Sequence, residues 1–191
     1  IIDAFGATSK IIYISTDYVF DGEKGNYREG DITIPTTIYG KTKLMGENAI
    51  KSSMNINAYI VRTSAIYDEN ASFLKYLENE LKESNFITAY SDVMYSPTWV
   101  VDFNIALHKL IENDYDLKIL HICGKSITRF DFAKLYAKVF GYSEKLIIKG
   151  LKDQGVFLLK NLTLDAQQTN AVLSHTQTPH SIALKNFLKK K

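Results

Sequence analysis

Cysteine is all but absent from the sequence. Cys123 stands alone, so no intrachain disulfide can form and no cluster of thiolates can hold zinc. A lone cysteine fits a reducing compartment, and a cytoplasmic location is the corresponding expectation. Histidine is scarce too. His108, His121, His175 and His180 form no HExxH or HxH pattern, so they read as structural or surface groups and no metal site is visible. The three prolines, Pro35, Pro97 and Pro179, all fall at expected element starts. No apolar run approaches the roughly 18 residues of a membrane helix. The opening IIDAFGATSK lacks the charged region and apolar core of a signal peptide. An excess of one charge is also missing: the net charge of +2, with lysines spread along the chain, singles out neither nucleic acid nor membrane as a partner. The closing KKK reads as a solvated terminus.

What is present belongs to an ordinary globular protein. Hydrophobic residues make up 46% and charged residues 23% of 191 positions, enough for one domain, or one and a smaller second, with a sizeable core. The pattern alternates. KIIYIST (10–16) is a β-branched apolar run that suits a buried strand, followed by a loop rich in Asp, Gly and Asn. TTIYGKTKLMGENAIKSS (36–53) has helical character, with Ile38, Leu44, Met45 and Ile50 loosely on one side and Thr36 or Thr37 as cap. Strands are expected at 57–67, 86–90, 118–123 and 145–150, and helices at 71–84, 100–113 and 127–141, the last stopped by Gly141. The last forty residues read as irregular, with a short helix near 179–189. Strands separated by helices predict an α/β fold with a parallel sheet.

In such a sheet, ligands bind at the carboxyl ends of the strands. The first strand ends in Ser15-Thr16-Asp17 and the second in Arg62-Thr63-Ser64. Between them lies IYGKTKLMGE. Its Tyr39 and Lys43 share one helical face, and alone such a pair is expected about once by chance in a chain with twelve Tyr. Placed over the strand ends, the pair points a phenol and an ammonium at one ligand, and the ammonium favours phenolate, so the tyrosine can give or take a proton at a carbonyl or hydroxyl. Thr16 could hold the same oxygen. The aromatic stripe Phe130, Phe132, Tyr136 and Phe140 reads as a packing face.

The motifs YISTDYVFDG, Y-R-E-G-D, IYGKTKLMGE, VRTSAIY and SPTWVVDF, in order and spacing, closely resemble the extended short-chain dehydrogenase/reductases, nearest the dTDP-4-dehydrorhamnose reductase type. The regulatory β subunit of methionine adenosyltransferase shares much of the pattern. The resemblance implies an NAD(P)-binding Rossmann-type doubly wound parallel sheet over 1–70 and 98–124. It implies a smaller α/β substrate domain over 71–97 and 125–191. It implies hydride transfer from NADPH or NADH to a keto carbon of a nucleotide-linked deoxysugar. By position, Thr16, Tyr39 and Lys43 match the catalytic set. Ile14, Ser15, Arg62, Thr63 and Ser64, with Tyr39 and Lys43, match the cofactor side, and Asp17, Tyr18, Val19, Ser96, Pro97 and Thr98 the substrate side. A homodimer is compatible with the resemblance. The alternative it carries is a non-catalytic NADP-binding regulatory subunit.

Three features depart from the family pattern. The family's N-terminal strands and glycine-rich turn precede the equivalent of Ile1, so the chain is expected to be a portion of a longer polypeptide with an unpaired edge strand. Ala65 replaces the aromatic that faces the sugar. Leu158-Leu159 replaces an Arg-Pro pair near the nucleotide diphosphate, which puts that contact in question.

Overall fold

The computed structural model describes residues 9–53, 57–153 and 158–188. Most of the opening IIDAFGATSK, the start of GVFLLKNLTLD and the closing KKK lie outside them. In chain order the elements are β1 (Ile11–Thr16), α1 (Ile38–Lys51), β2 (Ala58–Thr63), β3 (Ile66–Tyr67), α2 (Ser72–Lys82), β4 (Ile87–Tyr90), β5 (Met94–Tyr95) and β6 (Thr98–Trp99). They continue with α3 (Val100–Glu112), β7 (Ile119–His121), β8 (Ile127–Thr128), α4 (Arg129–Phe140), β9 (Ile147–Gly150), α5 (Gln167–Leu173) and α6 (His180–Leu188).

The predicted parallel sheet has the order β1-β2-β7. Ile11 stands opposite Ala58 and Thr16 opposite Thr63, so the two polar strand ends lie side by side. Arg62 stands opposite His121 on β7. Alternation along β1 serves two faces. Ile12 and Ile14 pack toward Phe103, Ala106 and Leu110 of α3, while Ile11 and Tyr13 pack toward Ile50 of α1. Helices thus cover both faces, as a parallel sheet requires. Among the described residues, β1 pairs with no second strand on its far side.

A second α/β unit is built on the parallel pair β4-β9, with Ile87 opposite Ile147. Leu74, Leu77 and Leu81 of α2, Phe132 and Tyr136 of α4, and Leu184 and Phe187 of α6 close its core. The aromatic stripe is therefore a packing face: Tyr136 and Phe140 stack at 4.3 Å, and Phe132 meets Tyr67 edge-on at 5.5 Å. Gly141 ends α4 in the left-handed region at φ 79°, which glycine enters without a Cβ penalty.

Three local expectations change. The strand expected over 57–67 breaks after Thr63, because Ile66 and Tyr67 leave the main sheet to pair with Thr98 and Trp99. Only half of the expected apolar side of α1 is buried: Ile50 is in the core and Leu44 is half-buried against it, but Ile38 and Met45 are 82% and 70% exposed, and Gly40 and Glu47 are buried in their place. A salt bridge and a close backbone approach, together with Ile50 and Leu44, seat this helix. The region read as irregular near the C-terminus contains α5, whose first N–H bonds Asp165 Oδ1 at 2.9 Å. Helix α5 presents Thr169 and Leu173 to the sheet, a seven-residue helix too short for a strong periodic signal.

Candidate active site

The carboxyl ends of β1 and β2 open onto a cavity of about 410 Å³. Ile14, Ser15, Thr16, Asp17, Tyr18, Tyr39, Lys43, Thr63 and Ser64 all reach its wall. Opposite them stand Met94, Tyr95 and Arg129, with Leu158 and Leu159 at one side.

Local chemistry places each group. Helix α1 starts where Thr37 Oγ1 accepts from Gly40 N at 2.9 Å. Gly40 then lies against the chain at Tyr18, where any Cβ would strike the Tyr18 carbonyl oxygen. The missing side chain lets α1 press onto the turn after β1, bringing Tyr39 edge-on to Tyr18 with ring centroids 5.9 Å apart. Tyr39 remains 54% exposed, its ring turned to the open cavity. One helical turn on, Lys43 Nζ donates to the Ile14 carbonyl at 2.6 Å and lies 4.9 Å from the Tyr13 ring centroid. Its ammonium is thus fixed by β1, with hydrogens to spare for a ligand hydroxyl. Tyr39 and Lys43 share the cavity, as their spacing predicts, but the ammonium's anchor is the strand and not the phenol.

Thr16 caps the short turn Asp17–Val19, accepting from Tyr18 N at 3.3 Å, and gives its own hydrogen to Asp17 Oδ1 at 3.0 Å. Burial pushes the Asp17 carboxyl up to about 6, against hydrogen bonds that pull it down. Ser64 exerts part of that pull, yet its buried Oγ falls short of a well-formed bond and has an open valence at the cavity. Burial also raises the Tyr18 phenol, and the Arg129 charge acts against that rise.

The remaining residues marked by the sequence lie around this wall rather than on it. Arg62 turns its side chain away, into Glu47: Nε to Oε1 at 2.9 Å and Nη2 to Oε2 at 2.7 Å. Val19 is buried with Phe20, Tyr27 and Leu164. Ser96 Oγ accepts from Leu164 N at 3.1 Å, and Thr98 Oγ1 meets Thr63 Oγ1 at 3.0 Å, so both brace the wall from behind. Pro97 borders a neighbouring cavity of about 250 Å³ beside Tyr67 and Phe132. Tyr95 and Arg129 were not marked by the sequence. A usable signal exists for the second, since Arg28, Arg62 and Arg129 are the only arginines in a lysine-rich chain.

Comparison with known proteins agrees with this architecture. The chain is 29% identical over 216 residues to the methionine adenosyltransferase 2 subunit beta of Pongo abelii, covering 98% of this chain and 62% of that protein. It is 34% identical over 146 residues to a dTDP-4-dehydrorhamnose reductase of Sinorhizobium fredii, covering 72% of this chain and 49% of the relative. Its fold matches the crystal structure of a dTDP-4-dehydrorhamnose reductase from Bacillus anthracis in complex with NADP, with a TM-score of 0.83 at 28% identity, over 96% of this chain and 66% of that one. The chain therefore spans about two thirds or less of the length of these relatives. The family model for the RmlD substrate binding domain matches residues 4–189, and the chain belongs to that family, in the Rossmann-type fold its structural relatives share.

Proposed function

We propose that the protein reduces the keto group of a nucleotide-linked deoxysugar, in the manner of a dTDP-4-dehydrorhamnose reductase, with NADPH or NADH as hydride source. The observation that carries this reading is the convergence of Thr16, Tyr39 and Lys43 on one cavity at the ends of two parallel strands.

The residues fit the nicotinamide end of such a cofactor. Lys43 has ammonium hydrogens left for ribose hydroxyls, and the buried, unpartnered Ser64 Oγ supplies a further polar contact. When bound, the cofactor supplies the hydride. Tyr39 supplies the proton: its exposed phenol meets the sugar oxygen as negative charge develops there, a role typically worth about 10²–10⁴ in rate. Thr16 Oγ1 holds the same oxygen. While Asp17 is ionised it takes the Thr16 hydrogen, so protonation of Asp17 frees that hydrogen for the substrate. The main-sheet unit, 1–70 with 98–124, serves the cofactor, and the unit around β4 and β9, from 71–97 with 125–191, serves the sugar.

The test is NADPH oxidation with dTDP-4-keto sugars by the full-length protein, wild type against Tyr39→Phe. Equal rates would remove the proton-donor role. Ala65 on the cavity wall, in place of a sugar-facing aromatic, supports a second reading, a regulatory subunit that binds the cofactor and controls a partner. Turnover by a protein that captures no partner in pull-down would dispose of it.

A further inference from the structure

Arg129 is a cation of the cavity that forms no ion pair among the described residues. It opens α4, and its guanidinium carbon lies 3.9 Å from the Tyr95 ring centroid and 5.4 Å from that of Phe73. The two rings hold the group in place without neutralising it. Its Nε is buried and has no hydrogen-bond partner, and no ion pair among the described residues includes it. The other two arginines are spent: Arg62 on Glu47 and Arg28 on Asp165. The acidic residue on the cavity wall, Asp17, is engaged with Thr16. Arg129 also bonds the Tyr95 phenol, but its Nε and the rest of the fork meet no carboxylate among the described residues. A planar fork of donors so fixed and half-buried matches a phosphate, whose oxygens can take two of its N–H groups at once.

Location narrows the ligand. Arg129 borders the cavity of Tyr39 and also an adjoining cavity of about 270 Å³ beside Phe73, Tyr76 and Tyr90. A group bound to it would sit between the two, in the middle of an elongated ligand rather than at its reacting end. Leu158 lines both cavities and cannot hold an anion, so charge recognition at this wall falls to α4.

We propose that Arg129 is the phosphate-binding residue of the substrate cavity, taking the diphosphate of a nucleotide sugar whose keto carbon lies at Tyr39. The assignment rests on the reductase reading above. A dinucleotide's own phosphates are the other source of this chemistry, and the two are separable. In the full-length protein saturated with NADP+, calorimetry should show dTDP binding more tightly than thymidine. Arg129→Gln should weaken dTDP binding roughly tenfold to a hundredfold, leaving thymidine unchanged. Arg129→Lys, which keeps the charge but not the fork, should fall between, and its unchanged thermal midpoint guards against a folding defect. The KM for the sugar nucleotide should rise with that for NADPH constant. Loss of NADPH affinity instead would move the site to the cofactor and overturn the proposal, as would equal dTDP affinity in wild type and Arg129→Gln. A wild type that turns over sugar nucleotides while Arg129→Gln binds dTDP normally sinks only this inference. Arg129-dependent dTDP binding without NADPH oxidation sinks only the reductase reading.

Discussion

Breaking the Glu47–Arg62 pair should cost more stability than deleting both partners. Glu47 and Arg62 are 0% and 1% exposed. Their fork closes with two bonds, 2.9 and 2.7 Å, and Glu47 also accepts from Ser15 Oγ at 2.6 Å. Lys51 adds a longer contact at 3.3 Å. Arg62 further donates to the Glu29 carbonyl at 3.2 Å and lies 5.1 Å from the Phe20 ring centroid. Arg62→Leu therefore leaves the buried carboxylate with only Ser15 and the longer Lys51 contact, a loss of about 3–5 kcal/mol. That is a large share of the roughly 5–15 kcal/mol that stabilises a typical domain. Glu47→Leu strands the guanidinium and should cost a similar amount. Glu47→Leu/Arg62→Leu strands neither, so its loss should be smaller than the larger single loss, giving a strongly non-additive cycle. Burial by itself would push the Glu47 carboxyl up, but the hydrogen bonds and charge of Arg62 hold it below the ordinary glutamate range. A depressed carboxyl stabilises the fold above the unfolded value and loses that contribution as pH falls through the folded one. Wild type should therefore weaken on acidification below about pH 4.5, and Glu47→Gln should lack that part of the slope. Urea unfolding of the full-length protein, followed by far-UV circular dichroism, reads all four variants. Singles within about 1 kcal/mol of wild type, or a double equal to the sum of the singles, would refute the reasoning.

Asp17 should show the opposite pH behaviour. Its folded value is raised to about 6, so the folded protein holds a proton that the unfolded chain has already lost, and stability should fall as pH rises from about 4 to 6. Asp17→Asn should flatten that window in a pH series of urea melts; an unchanged slope would place the titration elsewhere. Gly40→Ala should separate α1 from the turn at Tyr18, costing about 1–3 kcal/mol and lowering kcat by moving Tyr39. Activity unchanged in that variant would mean the close approach is not needed. Gly141→Ala, at φ 79° with open space around it, should cost about 1 kcal/mol through backbone strain alone and leave turnover untouched.

The parts of the fold that read directly from the sequence are those with a single dominant periodicity. β1 and β2 are continuous apolar runs because both of their faces are covered, and α2 places Leu74, Leu77 and Leu81 on one stripe. Helix α1 reads only in part because hydrophobicity is only part of what seats it. Beside Ile50 and Leu44, a buried carboxylate and a glycine carry its contacts, and neither of these scores as apolar. The short pairs β3-β6 and β5-β8 were invisible for another reason: two residues on each side give no periodic signal, and their partners lie about thirty positions away.

The site divides along the same line. That Thr16, Tyr39 and Lys43 share one cavity is legible because each sits at a fixed offset from a strand end or helix start, and such offsets survive in one dimension. What tunes them was not. The Lys43 anchor on the Ile14 carbonyl is a backbone contact that no residue type announces, and the rise of Asp17 comes from burial by neighbours far along the chain. Arg129 lies between these cases. Its type is conspicuous in a chain with three arginines, yet its meaning depends on Tyr95 and Phe73, which flank it only once β5, α2 and α4 have packed together. The sequence thus carries the placement of the phenol and ammonium near its surface. The setting of Arg129 emerges from tertiary packing, because a cation without an ion pair among the described residues can be recognised only after the carboxylates have found their places.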